Sequence, residues 1–489
     1  MSLEASVPPS PLDYAEALHG HIRHRFARAE PRERALVYLR GILDPVGRRN
    51  GWQLAAQGGE KYPDGMQRLL STARWNADRV RDDVRDFVLG HAADRNAVLV
   101  VDEWRFPKRG RRSVGVHLAQ SSAGRRTENV QTGLFCTYSS QRGSFLVDRE
   151  LFLPKAWIAD AGLRRAARIP EELPYRSPAA LAAAMVARAV AARVPGRWVA
   201  ASASVVDAGL RRFFEKNHMW FLVGVANAEK LPVVIADRRE RQSAESLAAL
   251  LEGDAWSGQP RPWSSYEWTR VRLAPGRPAR PVRWLLLRRD AGTRDNLHAY
   301  LCQAAPATTL PELVEVALVL ERNRYVLAAA CSGAGLDEYE VRHWTGWYRY
   351  TTLALAAHNC LELAGPRTEP ATPVPIPRQG GAHRPTRSRR SAPGGERDPA
   401  PGPVARPGPV PEARTPFPDA GTESAGGPDP DPEEESCPSP IRAPSSTPDV
   451  PCANRCASTS SFVSGTGRPR RGRSPFPVFP SGRRPGSVR

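Results

Sequence analysis

Apolar residues recur at helical spacing through the first part of the chain. Leu36, Leu39, Ile42 and Leu43 precede Pro45, Met66, Leu69 and Leu70 follow Asp64, and Val80, Val84, Phe87 and Val88 share one face. This pattern predicts a helical segment over 12–94 with arginine and aspartate on its outer faces. The period then changes. Residues 97–103, 113–119 and 129–138 are β-type runs separated by Arg- and Gly-rich turns, which predicts a three-stranded meander. A loop carrying Asp148-Arg-Glu-Leu-Phe-Leu-Pro follows, then a helix of about 15 residues from Pro178. Gly196-Arg-Trp-Val-Ala-Ala-Ser reads as a strand, 209–215 as a helix, and Met219-Trp-Phe-Leu-Val-Gly-Val as a further strand.

Three strands, a crossover helix and then more strands alternating with helices is the order of an RNase-H-like α/β core. Residues 227–310 break that order. They hold Trp256, Trp263, Trp268 and Trp284 and two strand candidates, 265–273 and 281–289, and read as a mostly β insertion. Helical spacing returns at 311–324, and Val341-Arg-His-Trp-Thr-Gly-Trp-Tyr-Arg-Tyr leads into an Ala-rich helix. The expected organisation is a helical N-terminal domain with a DNA-binding role (12–94), the first part of the core (95–226), the insertion (227–310), the closing helices of the core (311–364), and a tail (365–489). The tail holds 28 of the 48 prolines and almost no periodic apolar residues, so it is expected to be disordered.

Charge adds a candidate partner. The chain carries a formal net charge of +19, and the 18 basic and 12 acidic residues from Pro366 onward leave +13 on the part before it. Such an excess suits an anionic partner, nucleic acid first. Only five of the 70 basic residues are lysine, however, and the Arg, Ala, Gly and Pro bias is also what a GC-rich coding sequence produces. Seven scattered cysteines without framework spacing indicate reduced thiols. No export signal opens the chain, and the Ala-rich stretches 179–194 and 351–364 are too short to span a bilayer, so a cytoplasmic location without membrane contact is expected. His19, His21 and His24, the Cys452/Cys456 pair and the Arg-rich segments 384–390 and 468–473 read better as polar surface than as sites.

The strongest chemical candidate is Asp102, at the end of the apolar run Ala97-Val-Leu-Val-Val-Asp-Glu. A buried strand that delivers an acid to a polar edge is one way to hold a metal ion for phosphoryl transfer. Lys108, Arg109, Arg111, Arg112, Arg125 and Arg126 lie in the turns that follow, as candidate phosphate contacts. Several blocks along the chain carry a resemblance: Asn50-Gly-Trp-Gln-Leu, Pro63-Asp-Gly-Met-Gln-Arg-Leu-Leu, Val100-Val-Asp-Glu, Ser113-Val-Gly-Val, Glu128-Asn, Asp148-Arg-Glu-Leu-Phe-Leu-Pro, Gly335-Leu-Asp-Glu-Tyr-Glu-Val-Arg and Trp344-Thr-Gly-Trp-Tyr-Arg. Together, in collinear order from about residue 33 to 364, they resemble the DDE transposases of the insertion-sequence-701 family.

The resemblance implies two aspartates at neighbouring strand ends and a glutamate on a later helix, which together bind two Mg²⁺ (or Mn²⁺) ions. It implies cleavage at transposon ends and strand transfer into target DNA, with DNA as partner and self-association into a homo-oligomer left open. Asp102 matches the first acid. The second is expected at Ser202 and the third at Arg324, and neither is a carboxylate. Asp207 and Glu321 are the nearest substitutes, and both are weak. Asp207 falls beyond the strand end, where a helix N-cap is the better reading, and Glu321 sits where the family has a tryptophan. The expectation is a transposase relative that has lost strand cleavage.

Overall fold

In the computed structural model, residues 8–44, 49–120, 126–235, 238–251, 253–258, 265–273 and 281–365 are described. Five helices open the chain: α1 (Pro11–Ile22), α2 (Ala29–Leu43), α3 (Gly51–Gln57), α4 (Asp64–Ser71) and α5 (Ala77–Ala92). Their starts are locally specified. Ser10 and Asp13 form a reciprocal capping box at α1, and the Asn76 side chain accepts from the Asp78 and Arg79 backbone N–H groups at α5.

The next strands are β1 (Val98–Pro107), β2 (His117–Gln120), β3 (Thr127–Ser140) and β4 (Gly143–Leu151). Short α6 (Lys155–Ala159) and α7 (Ala161–Ala167) lead to α8 (Pro178–Ala191), β5 (Trp198–Ala201), α9 (Ala208–Lys216) and β6 (Phe221–Val225). A separate hairpin, β7 (Leu231–Ile235) with β8 (Arg238–Gln242), precedes α10 (Ala244–Leu250). Then come β9 (Ser257–Gly258), β10 (Tyr266–Arg272), β11 (Val282–Asp290), β12 (His298–Ala304), α11 (Leu310–Ala334) and α12 (Trp344–Ala364).

The main sheet has the order β2-β3-β1-β5-β6-β12-β11-β10-β9, and β4 shares the outer edge of β3 with β2. β1, β5 and β6 run parallel, and every other pairing in this sheet is antiparallel. An antiparallel trio continued by parallel strands through helical crossovers is the RNase-H-like α/β arrangement. The meander differs from its sequence reading in one strand. Its third full strand is β4, over a stretch read as loop, whereas 113–119 enters the sheet only through β2. Within the 227–310 stretch, read as mostly β, β9 to β12 extend the core sheet through the pairing of β12 with β6, and β7 and β8 form the separate hairpin.

Strand alternation divides the sheet between two cores. Leu99 and Val101 of β1 pack with Ala182, Met185 and Phe214 of α8 and α9 on one face, and Val98 and Val100 join Leu313, Ala317 and Leu320 of α11 on the other. A third core unites α1, α2 and α5 with α12 around Leu18, Leu39, Val84 and Leu353. The N-terminal helices therefore share their apolar interior with the last helix of the fold. Among the described residues no helix is long and apolar enough to cross a membrane. Cys136, Cys302, Cys331 and Cys360 are buried free thiols.

Candidate active site

The same alternation aims the candidate residues. Val98, Val100 and Asp102 fall on one face of β1, and Trp198, Ala200 and Ser202 on the same face of the neighbouring chain, which is the face covered by α11. The parallel ladder ends at the Val101–Ala201 pair, and the Ser202 backbone N–H donates to the Val101 carbonyl at 3.3 Å, bringing Asp102 and Ser202 side by side. The Glu103 backbone N–H donates to the Asp102 carboxylate at 2.8 Å, the Ser202 hydroxyl, which shares a 3.0 Å hydrogen bond with Ser204, stands beside it, and the charge of Arg324 on α11 reaches it. Asp102 is 6 % exposed. Burial, helped by the charge of Glu103, pushes its carboxyl above the ordinary value, and the Ser202 hydroxyl, the Glu103 backbone N–H and Arg324 pull the other way without cancelling that effect. Of the residues at the three expected acid positions, Asp102 and Ser202 thus stand side by side as a carboxylate and a hydroxyl, and Arg324, exposed on α11, acts on Asp102 through its charge.

The two substitutes do not join them. The Asp207 side chain accepts from the Leu210 backbone N–H at 2.8 Å and caps α9, beyond a 3₁₀ turn over Ala203–Val205. Glu321 takes Arg288 of β11 on one oxygen and the Tyr300 hydroxyl of β12 on the other. Trp284, Leu286 and Arg288 alternate onto the α11 face, as do Tyr300 and Cys302, so Glu321 finds its partners there. These two partners were not anticipated from sequence. The signal that finds them is strand parity, once α11 is known to cover that face.

The basic turn residues are also re-sited. β1 continues five residues past Asp102 to Pro107, about 17 Å of extended chain, so Arg109, Arg111 and Arg112 lie well along the sheet from Asp102. These three and Arg126 are exposed, and none forms an ion pair with a described residue. Arg125 lies outside the described residues. Lys108 turns inward: its Nζ stands 3.5 Å from the centroid of the Tyr339 ring, and burial pushes its amine down to about 8, opposed by the charge of Asp337. The three histidines of α1 and its exit do not converge either. His19 bonds the Arg32 carbonyl, His21 leans on the Phe87 ring, and His24 faces Asp83.

A pair of divalent ions needs several anionic oxygens around it. At Asp102 the surroundings are its own carboxylate, that of the adjacent Glu103, which pairs with Arg105 at 2.7 Å, a neutral hydroxyl and the charge of exposed Arg324, and among the described residues no group of three His, Cys, Asp or Glu side chains is placed to hold a metal. This donor set does not fit the two-ion centre that the resemblance implies.

With the mixed sheet, the covering helix and the buried Asp102 in view, the class of the protein follows. Residues 18–284 match the family model described as DDE superfamily endonuclease, and the chain belongs to that superfamily. The family generally uses divalent metals and acts on DNA. The matched stretch contains Asp102 and Ser202 and ends before α11, which carries Arg324. No curated protein matches the chain.

Proposed function

We propose that the chain is a transposase-derived DNA-binding protein of the insertion-sequence-701 lineage in which strand cleavage has been lost. The observation that carries this reading is the environment of Asp102, whose neighbours from β5 and α11 are Ser202 and Arg324 instead of acids. A guanidinium whose charge reaches the first acid opposes two metal ions at any pH at which a protein stays folded. The apolar residues of β1, of the chain around β5 and of α11 still pack together next to that site, and exposed arginines line the turns after β1, which supports retained DNA binding, with 12–94 as a further contributor.

The test is incubation of the purified full chain with supercoiled DNA and with family-type terminal repeats in Mg²⁺ and in Mn²⁺. Salt-dependent binding without nicking or joining is expected. Nicking that disappears in Asp102→Ala would overturn the reading. Absence of any sequence-preferring binding would instead favour an inert remnant over a DNA-binding regulator.

A further inference from the structure

A cleft of about 370 Å³ opens between α3, α4 and the segment leading into α12, built from residues other than those around Asp102. Arg168, at the end of α7, and Arg342 and His343, just before α12, converge on its rim. Neither arginine forms an ion pair with a described residue, and both charges act on His343, whose imidazole is held below its ordinary value by burial first and then by these two cations. Two guanidinium groups are thus gathered beside a neutral imidazole, and neither is held in an ion pair with a described acid. The one other cation lining the cleft, Arg49, is already consumed by Glu338, through its backbone N–H at 2.7 Å and its guanidinium at 3.0 Å. Glu340 also lines the cleft, is exposed, and sets a limit on how many negative charges fit.

Two further features define what fits. His343 is the N-cap of α12 and makes no side-chain capping bond, so the first backbone N–H groups of a 21-residue helix lack a side-chain acceptor at this rim. Trp52, on the α3 side, is 61 % exposed, an unusual solvation for a large aromatic ring, with the Gln67 amide near it in the lining. Clustered cations beside an unpacked indole suit a ligand with an anionic end and a flat π-face. The volume is at the small end for ligand pockets and suits a single nucleotide rather than a duplex.

The geometry points to a nucleotide pocket: this cleft holds one unpaired nucleotide of single-stranded DNA, with its phosphate on Arg168, Arg342 and the α12 N-terminus and its base on Trp52. The inference does not depend on the state of the Asp102 site. It is tested by fluorescence anisotropy with the full chain, a labelled twelve-residue oligothymidylate and a duplex of the same length, with unlabelled thymidine monophosphate as competitor. Trp52→Ala and Arg342→Ala should each weaken single-strand binding about tenfold. They should leave duplex binding within twofold, and the monophosphate should compete in the wild type only. Lys216→Ala, which removes an exposed cation at the end of α9 outside the cleft, serves as the control that leaves single-strand affinity unchanged. Single-strand affinity unaltered in both cleft variants, or an equal loss for duplex and single strand, would overturn the pocket. Circular dichroism and thermal melting of each variant exclude misfolding as the cause, and Trp52→Phe, which keeps a π-face, should restore most of the affinity.

Discussion

Replacing Asp102 by asparagine separates the electrostatic cost of a buried carboxylate from its shape. Burial raises this carboxyl above its ordinary value of 3.8, so the native state binds a proton more tightly than the unfolded chain. Its contribution to stability is therefore complete below about 3.8 and is lost as pH rises through the higher native value. Asp102→Asn is expected to stabilise the protein at pH 7 by on the order of 1 kcal/mol, because it removes a desolvated charge and keeps the side-chain volume. The gain should shrink toward zero as pH approaches 3.8, measured by urea unfolding across the pH series. Equal stability at pH 7 would show that Arg324, the Ser202 hydroxyl and the Glu103 backbone N–H fully compensate the burial. The paired substitution Ser202→Asp with Arg324→Glu rebuilds three carboxylates around one point, and should give a Mn²⁺-dependent rise in melting temperature that the wild type lacks. If the double variant shows no such rise, these three positions are not close enough to share an ion.

At the scale of elements, the strands whose side chains alternate cleanly were legible and β4 was not. β1 and β6 are apolar runs with little ambiguity, but β4 reads Gly143-Ser-Phe-Leu-Val-Asp-Arg-Glu-Leu, and three consecutive charges imitate a loop. They are tolerated in a buried strand because partners arrive from elsewhere in the chain. Asp148 receives Arg81 of α5 at 2.8 Å and Arg188 of α8 at 2.9 Å, Glu150 receives Arg188 and the Tyr348 hydroxyl of α12, and fully buried Arg149 reaches Asp78 at 2.8 Å. No local pattern reports neutralisation by residues so far away in sequence. The same physics explains the block around Trp347: Arg349 of α12 donates to the carbonyls of Ala73 and Trp75 beyond α4, and this helps bind the N-terminal helices to the end of the fold. Asp148→Ala is accordingly expected to cost about 3–5 kcal/mol, since it strips two arginines of a buried counter-charge. The loss should be nearly independent of salt, because the pair is shielded from solvent ions. A loss below 1 kcal/mol, or one that salt removes, would mean that the cluster is solvated.

For the whole molecule, net charge gave a partner class and little geometry. It could not reveal that Lys108 packs on the Tyr339 ring while its neighbours Arg109, Arg111 and Arg112 face solvent, because that division depends on where α11 ends and the 336–346 segment returns over the sheet. Nor does composition distinguish an arginine kept for phosphate from one supplied by codon bias. Salt dependence makes that distinction. Each phosphate contact releases counterions and adds nearly one unit to the slope of log K against log salt, whatever the DNA sequence. Replacing Arg109, Arg111 and Arg112 together by alanine should therefore flatten the slope of duplex binding by close to one unit for each arginine that touches a phosphate. Stability should change by less than about 0.5 kcal/mol, since the three are exposed and unpaired. If the slope stays as in the wild type, these turns owe their charge to composition alone. The DNA contact must then be sought on 12–94, where Arg28, Arg74 and Arg79 are also exposed.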